Sequence, residues 1–256
     1  MKCVSGEWKE AFVVNQLSFE PLKDSCTLDG DTPIIVAKDV LKYPEQVREF
    51  MENGYWWENG GDPDCARPGK SFDFGPNTEA YFTPLVEQFR KFYNADELIP
   101  IEFYGNCYNG NMDLYTPMSY IPHVDTFPGD DQNENPLNEV AFNMNLTKSD
   151  KVKTCFYSFN NKKSICEFTA KDYADYRSVS NKQGFLEAEK WREIGGDDYE
   201  NYKLEYVADI DYNSLILYPS HYWHNAYMKE DWFIDEDRVT FTGFFELIKW
   251  LFHISH

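Results

Sequence analysis

His123 and Asp125 stand two residues apart in the run Ile121-Pro122-His123-Val124-Asp125. On an extended strand that spacing puts both side chains on one face and turns Val124 into packing. An imidazole and a carboxylate held side by side supply two corners of a metal site. A second histidine brought in from elsewhere completes a 2-His-1-carboxylate facial triad, which grips one face of an Fe(II) ion and leaves the other for a co-substrate and dioxygen. With 5 His and 44 Asp+Glu in 256 residues, a His-x-acid pair arises about once by chance. The weight therefore falls on what accompanies it.

Two histidines compete for the third corner, His221 and His224. They are three apart, so on a strand they face opposite sides and at most one joins the metal. Downstream, Arg238 and Thr240 share a face of the last strand. A guanidinium beside a hydroxyl suits a ligand carboxylate, because Arg grips it through two parallel charge-assisted bonds. Cys107 lies in a Gly/Asn-rich stretch, but nothing in the sequence pairs it with a base.

Hydrophobic residues at 42% provide for a globular core, and 18% aromatics favour sheets and a closed interior over a helical bundle. A formal charge of −20 argues against a protein that grips phosphate backbones. Met1 to Glu10 has no apolar signal core, and the apolar-rich run from Phe241 to Ile254 is too short and too charged to span a bilayer. The six cysteines show no C-x-x-C pair, which fits free thiols in a reducing cytoplasm. Asn145-Leu146-Thr147 is a formal glycosylation sequon placed in an expected core strand.

The elements that must position these residues follow from patterning. Residues 11–19 and 32–37 read as strands, and Pro44 opens a helix over 44–53. Residues 53–77 read as loop. The spacing of Phe82, Leu85, Val86, Phe89, Phe92 and Tyr93 predicts an amphipathic helix over 78–93, with Pro84 offering an alternative start at Thr83. Strands are predicted over 99–108, 214–220, 222–228 and 238–247, and over 139–147 and 152–159 as a hairpin, while 117–125 lead into the His-Asp pair. Residues 129–139 form an acidic loop, and about 160–208 reads as a mostly helical insertion. Strands linked by turns favour an antiparallel sandwich or barrel. We read one domain over 1–256: N-terminal strands and supporting helices over 1–98, then a core over 99–256.

Taken together, His123-Val124-Asp125, then Leu217-Tyr218-Pro219-Ser220-His221-Tyr222-Trp223-His224, then Arg238-Val239-Thr240 resemble the prolyl-4-hydroxylase-like branch of the Fe(II)- and 2-oxoglutarate-dependent dioxygenases. That branch carries H-x-D, then Y-P-S-x-x-x-H, then Arg or Lys on the following strand. The resemblance selects His224 and leaves His221 among the variable positions. The gap of 14 residues from His224 to Arg238 is longer than usual there, leaving room for a loop over 228–237. The resemblance implies a mainly β fold with flanking helices, a double-stranded β-helix or jelly roll. It implies iron held by His123, Asp125 and His224, and 2-oxoglutarate chelating the iron with its distal carboxylate on Arg238 and Thr240. It also implies a co-substrate tyrosine, best matched by Tyr108 and less well by Tyr115. The N-terminal part, from Thr32 through Arg67-Pro68-Gly69, resembles an uncharacterised group of oxygenase-like proteins of phages and marine bacteria.

The expected activity is hydroxylation of a peptidyl residue such as proline, or of a small molecule, with Fe(II), 2-oxoglutarate and dioxygen. The expected setting is the cytoplasm (the host's, if phage-encoded), with neither nucleic acid nor membrane as partner. A jelly-roll enzyme using the same set on zinc, and a binding or virion-associated protein on an oxygenase scaffold, stay open.

Overall fold

The computed structural model describes residues 10–22, 34–53, 57–58, 70–72, 78–108, 122–126, 138–186, 198, 201–227, 232–233 and 235–248. The chain is mainly β, with strands β1 (Glu20–Pro21), β2 (Ile35–Ala37), β3 (Trp57–Glu58), β4 (Lys70–Phe72), β5 (Glu97–Tyr108) and β6 (Glu139–Asn145). There follow β7 (Lys153–Phe159), β8 (Tyr202–Asp209), β9 (Ser214–Pro219), β10 (Trp223–Tyr227) and β11 (Arg238–Ile248). The helices named among the described residues are α1 (Pro44–Asn53), α2 (Thr78–Tyr93) and α3 (Ala170–Leu186).

All strand pairs are antiparallel and form two sheets. The large sheet runs β1-β2-β9-β6-β11-β5-β4-β3 and the small one β10-β7-β8. His123 bridges to His224 and so adds the H-x-D segment beside β10. From β5 onward the chain shuttles between sheets: β5 large, H-x-D small, β6 large, β7 and β8 small, β9 large, β10 small, β11 large. That winding, with β5-β11-β6-β9 facing H-x-D-β10-β7-β8, is a double-stranded β-helix.

Strand parity decides what each face carries. On β11 the odd residues Val239, Phe241 and Phe245 join the cluster under the helices, with Phe142, Leu215 and Leu217. From α2 come Phe82, Leu85, Val86 and Phe89, while Glu87 and Lys91 stay exposed. Phe82 stacks on Phe103 at 4.6 Å. The even residues Arg238, Thr240, Thr242 and Phe244 look between the sheets, where Phe244 packs with Ala141, Phe156, Ile216, Tyr218 and Tyr222. A third cluster around Trp223, Phe159 and Tyr202 lies against the residues that lead into and form α3, including Phe168, Tyr173 and Tyr176.

Several sequence expectations are corrected. Residues 11–19 form no strand, only a bridge from Val14 to Leu41. Their apolar side chains Ala11, Phe12 and Leu17 are buried in the helix-side cluster, while the Leu17 amide donates to Gln88 Oε1 instead of a sheet partner. The stretch 53–77 holds β3 and β4, paired with each other and, through β4, with β5. β6 and β7 are not a hairpin: β6 pairs with β11 and β9, β7 with β10 and β8. Asn145 ends β6, its amide bonding Thr147 O, Thr147 N and Ile210 O, so the chain crosses to the other sheet. That engagement also buries the sequon asparagine completely. The tail of the expected insertion is β8, a strand hidden in a charged context: Tyr202 and Leu204 join the Trp223 cluster, and a register shift opposite Phe156 and Tyr157 turns Tyr206 and Ala208 to the other face. α2 starts at Thr78 and keeps Pro84 inside. Most of the acidic loop 129–139 and of 117–125 lies outside the described residues. Among the described residues no helix is long and apolar enough to cross a membrane.

Candidate metal centre

β10 presents His224 to the interior, opposite Phe156 of β7. Across its other side the H-x-D segment is laid down by a backbone exchange with His123, 2.9 Å in each direction. The next link is Ser220, the serine of the Y-P-S run. Its carbonyl accepts the Asp125 amide at 2.9 Å, and its hydroxyl meets Thr126 Oγ1 at 2.9 Å. Its own amide and hydroxyl both donate to Glu139 O, at 3.1 Å each. Asp125 is thus fixed through one serine to the start of β6 as well as to β9.

These links bring ligand atoms of His123, Asp125 and His224 within 4.8 Å of one another. His224 Nε2 lies 3.2 Å from Asp125 Oδ2, and His123 Nε2 3.8 Å from Asp125 Oδ1. The two imidazole rings sit 4.6 Å apart at 53°. Side-chain exposure is graded, 7% for His224, 16% for Asp125 and 34% for His123, so the set opens to solvent on the His123 side.

Burial pushes His224 down to about 4, against a smaller upward pull from its hydrogen bond to the Tyr222 carbonyl. That bond, 2.9 Å from Nδ1, requires the proton on Nδ1, because a carbonyl only accepts. At neutral pH the ring is therefore uncharged and turns an Nε2 lone pair toward Asp125, the state a metal ligand needs. His221 takes a different part. It is buried, and its Nδ1 meets Ser164 Oγ at 2.8 Å. Ser164 caps the 3-10 turn Ile165–Glu167 with a full capping box, so His221 fastens the β9–β10 turn to the segment leading into α3.

Further along the inner face, Arg238 is 1% exposed and Thr240 fully buried. Thr240 Oγ1 has no hydrogen-bond partner among the described residues, a state that costs about 1–3 kcal/mol until a ligand supplies one. Arg238 pairs in register with Tyr108; the Tyr108 side chain and all of Tyr115 lie outside the described residues. Tyr218, from the Y-P-S run itself, is 3% exposed with its ring 4.8 Å from that of His224. Burial first, then the Asp125 charge, push its phenol well above the usual range, while Arg238 pulls the other way. Tyr218 thus stands within electrostatic reach of both the triad carboxylate and the guanidinium. The sequence offers Tyr218 only as part of the Y-P-S run, with no role, and does not single out Asn106, the register partner of Thr240; strand register reveals what each stands beside.

The donor set, two neutral imidazole nitrogens and one carboxylate with an open side, fits Fe(II) and other divalent first-row metals. Arg238, a cation buried on the facing sheet, fits an anionic ligand. No protein-family model and no curated protein sequence matches the chain. Among solved structures it is similar to HygX from Streptomyces hygroscopicus with nickel and 2-oxoglutarate bound, at 13% identity over 89% of this chain and 88% of that one, with a TM-score of 0.44. It is also similar to the non-heme alpha ketoglutarate dependent epimerase SnoN from nogalamycin biosynthesis, at 10% identity over 87% and 78%, TM-score 0.49. An N-substituted L-amino acid dioxygenase from Burkholderia ambifaria in complex with alpha-KG matches at 11% identity over 93% and 100%, TM-score 0.43. At that distance the likeness extends to neither activity nor substrate.

Proposed function

We propose that the protein is an Fe(II)- and 2-oxoglutarate-dependent oxygenase that hydroxylates a small molecule or a peptidyl residue such as proline. The observation that carries this reading is the convergence, inside one jelly roll, of His123, Asp125 and His224 within 4.8 Å and of a buried arginine on the facing sheet. His123, Asp125 and His224 hold the metal. Arg238 and Thr240 take the distal carboxylate of 2-oxoglutarate, and Tyr108, the register partner of Arg238, is the residue assigned as the co-substrate tyrosine. When bound, the iron with dioxygen supplies the oxidising chemistry, in which 2-oxoglutarate loses carbon dioxide to give succinate and one oxygen atom enters a substrate C–H bond.

The chain's own contributions are binding, charge and exclusion of water. Asp125 brings one negative charge to a divalent cation, and neutral His224 adds none, so the centre keeps a net positive charge that favours a 2-oxo acid. Arg238, almost fully removed from solvent, binds a carboxylate more strongly than it would at the surface. The exposed side of His123 leaves an approach for the substrate.

Anaerobic titration of the metal-free protein with Fe(II) and then 2-oxoglutarate tests the reading. A visible metal-to-ligand charge-transfer band is expected, kept in His221→Ala and lost in His224→Ala. Iron bound without such a band would refute the co-substrate assignment.

A further inference from the structure

Asn106 is 3% exposed on the inner face of β5, directly opposite Thr240 of β11. Residues so paired hold their side chains about 5 Å apart. Its Nδ2 donates to Thr242 Oγ1 at 3.3 Å, and its Oδ1 has no hydrogen-bond partner among the described residues. Thr240 Oγ1 is in the same state, so two neighbouring buried polar groups beside Arg238 both wait for a partner. A buried polar atom left this way is costly, and native interiors rarely tolerate two together.

One arrangement satisfies them both. An amide oxygen and nitrogen differ little in size, so Asn106 can turn by 180° at the end of its side chain. Thr242 permits this, because a hydroxyl donates as readily as it accepts. After the turn Thr242 Oγ1 donates to Asn106 Oδ1, and Asn106 Nδ2 points beside Thr240 with hydrogens to give. A carboxylate on Arg238 then accepts from Thr240 and from Asn106, so that both gain a partner. Thr240 and Asn106 are neutral donors, so they add bonds without adding charge to the single cation.

We propose that Asn106 is a co-substrate-binding residue: its side-chain amide, oriented by Thr242, donates to the carboxylate held by Arg238 and Thr240. This rests on the co-substrate reading above and extends it to a residue that the H-x-D, Y-P-S-x-x-x-H and Arg motifs do not contain.

The test measures binding, not turnover. The Fe(II)-loaded protein, kept anaerobic, is titrated with 2-oxoglutarate and separately with 2-oxobutyrate, which has the same keto acid end but no distal carboxylate. Asn106→Ala should weaken 2-oxoglutarate roughly ten- to a hundredfold, the range for a bond to a charged group, and leave 2-oxobutyrate unchanged. Asn106→Asp, equal in shape but negative, should all but abolish the preference for the dicarboxylate. Thr242→Val should show a smaller loss confined to 2-oxoglutarate. Equal losses for both acids, or no loss in either variant, overturns the role of Asn106 while leaving the co-substrate reading in place. Wild-type protein that binds iron yet shows no preference for 2-oxoglutarate over 2-oxobutyrate overturns the co-substrate reading, and the role of Asn106 with it.

Discussion

The backbones of His123 and His224 are joined in a closed pair: each amide donates to the other's carbonyl at 2.9 Å. Two residues separated by 101 positions in sequence are thereby held as cross-strand neighbours, and their side chains fall on one face with Asp125. Ligand geometry is set by sheet hydrogen bonds and not by the side chains alone, so losing one ligand should leave the other two in place. Asp125→Ala is accordingly expected to fold normally yet bind Fe(II) at least a hundredfold more weakly, since even partners of a ligand are worth about 10–100-fold. Anaerobic metal titration with circular dichroism checks both halves. Wild-type iron affinity in the variant would sink the triad.

Arg238 is expected to matter to the co-substrate and hardly at all to iron. Truncation to Ala removes one partner of a buried charge pair, a loss of roughly 2–5 kcal/mol in 2-oxoglutarate binding. Arg238→Lys should recover only part of it, because an ammonium cannot form the two parallel bonds of the guanidinium. Calorimetric titration of the metal-loaded variants separates the effects. An unchanged affinity in Arg238→Ala would remove the arginine from the site.

Much of this centre is legible in the sequence because strands have a period of two. His123 with Asp125, and Arg238 with Thr240, need only an extended chain to share a face, and the strand pattern of 214–247 follows from the same parity, while the helix over 44–53 is marked by Pro44 at its first position. What the sequence hides is register. Asn106 becomes a neighbour of Thr240, and Tyr218 of His224, only once β5 is placed on β11 and β9 beneath β10. Tertiary context also overrides local signals: residues 11–19 look like a strand but spend their apolar side chains on α2. β8 is hard to read because Lys203 and Glu205, which pair with each other at 3.1 Å, interrupt its apolar residues.

Acid should weaken the metal-free protein through His224. In the folded state burial holds its pKa at about 4, whereas the unfolded chain titrates it near 6.5. Below 6.5 the unfolded chain takes up a proton that the folded protein refuses, so stability is complete above 6.5 and falls as the pH drops toward 4. The loss amounts to about 3 kcal/mol. Urea unfolding with a chelator at pH 7.5, 5.5 and 4.5 should show this slope, and His224→Gln should remove that part of it. The same slope in both proteins would assign it to other groups.

Gly243 is where stability and binding should come apart. It sits in β11, opposite Phe103 on one side and Phe142 on the other, and a Cβ there would come within 2.3 Å of a ring carbon of each. Neither ring is free to yield: Phe103 stacks on Phe82 at 4.6 Å, and Phe142 packs 5.7 Å from Phe89. Gly243→Ala therefore overpacks the helix side of the sheet, at a cost of about 1–3 kcal/mol. Arg238 and Thr240 lie on the opposite face of the same strand, turned away from this contact. Thermal unfolding should show the loss, while Fe(II) and 2-oxoglutarate affinities of the folded protein stay at wild-type values. A variant that keeps its stability, or that loses co-substrate affinity in proportion, would show that the two faces of β11 do not divide packing from binding in this way.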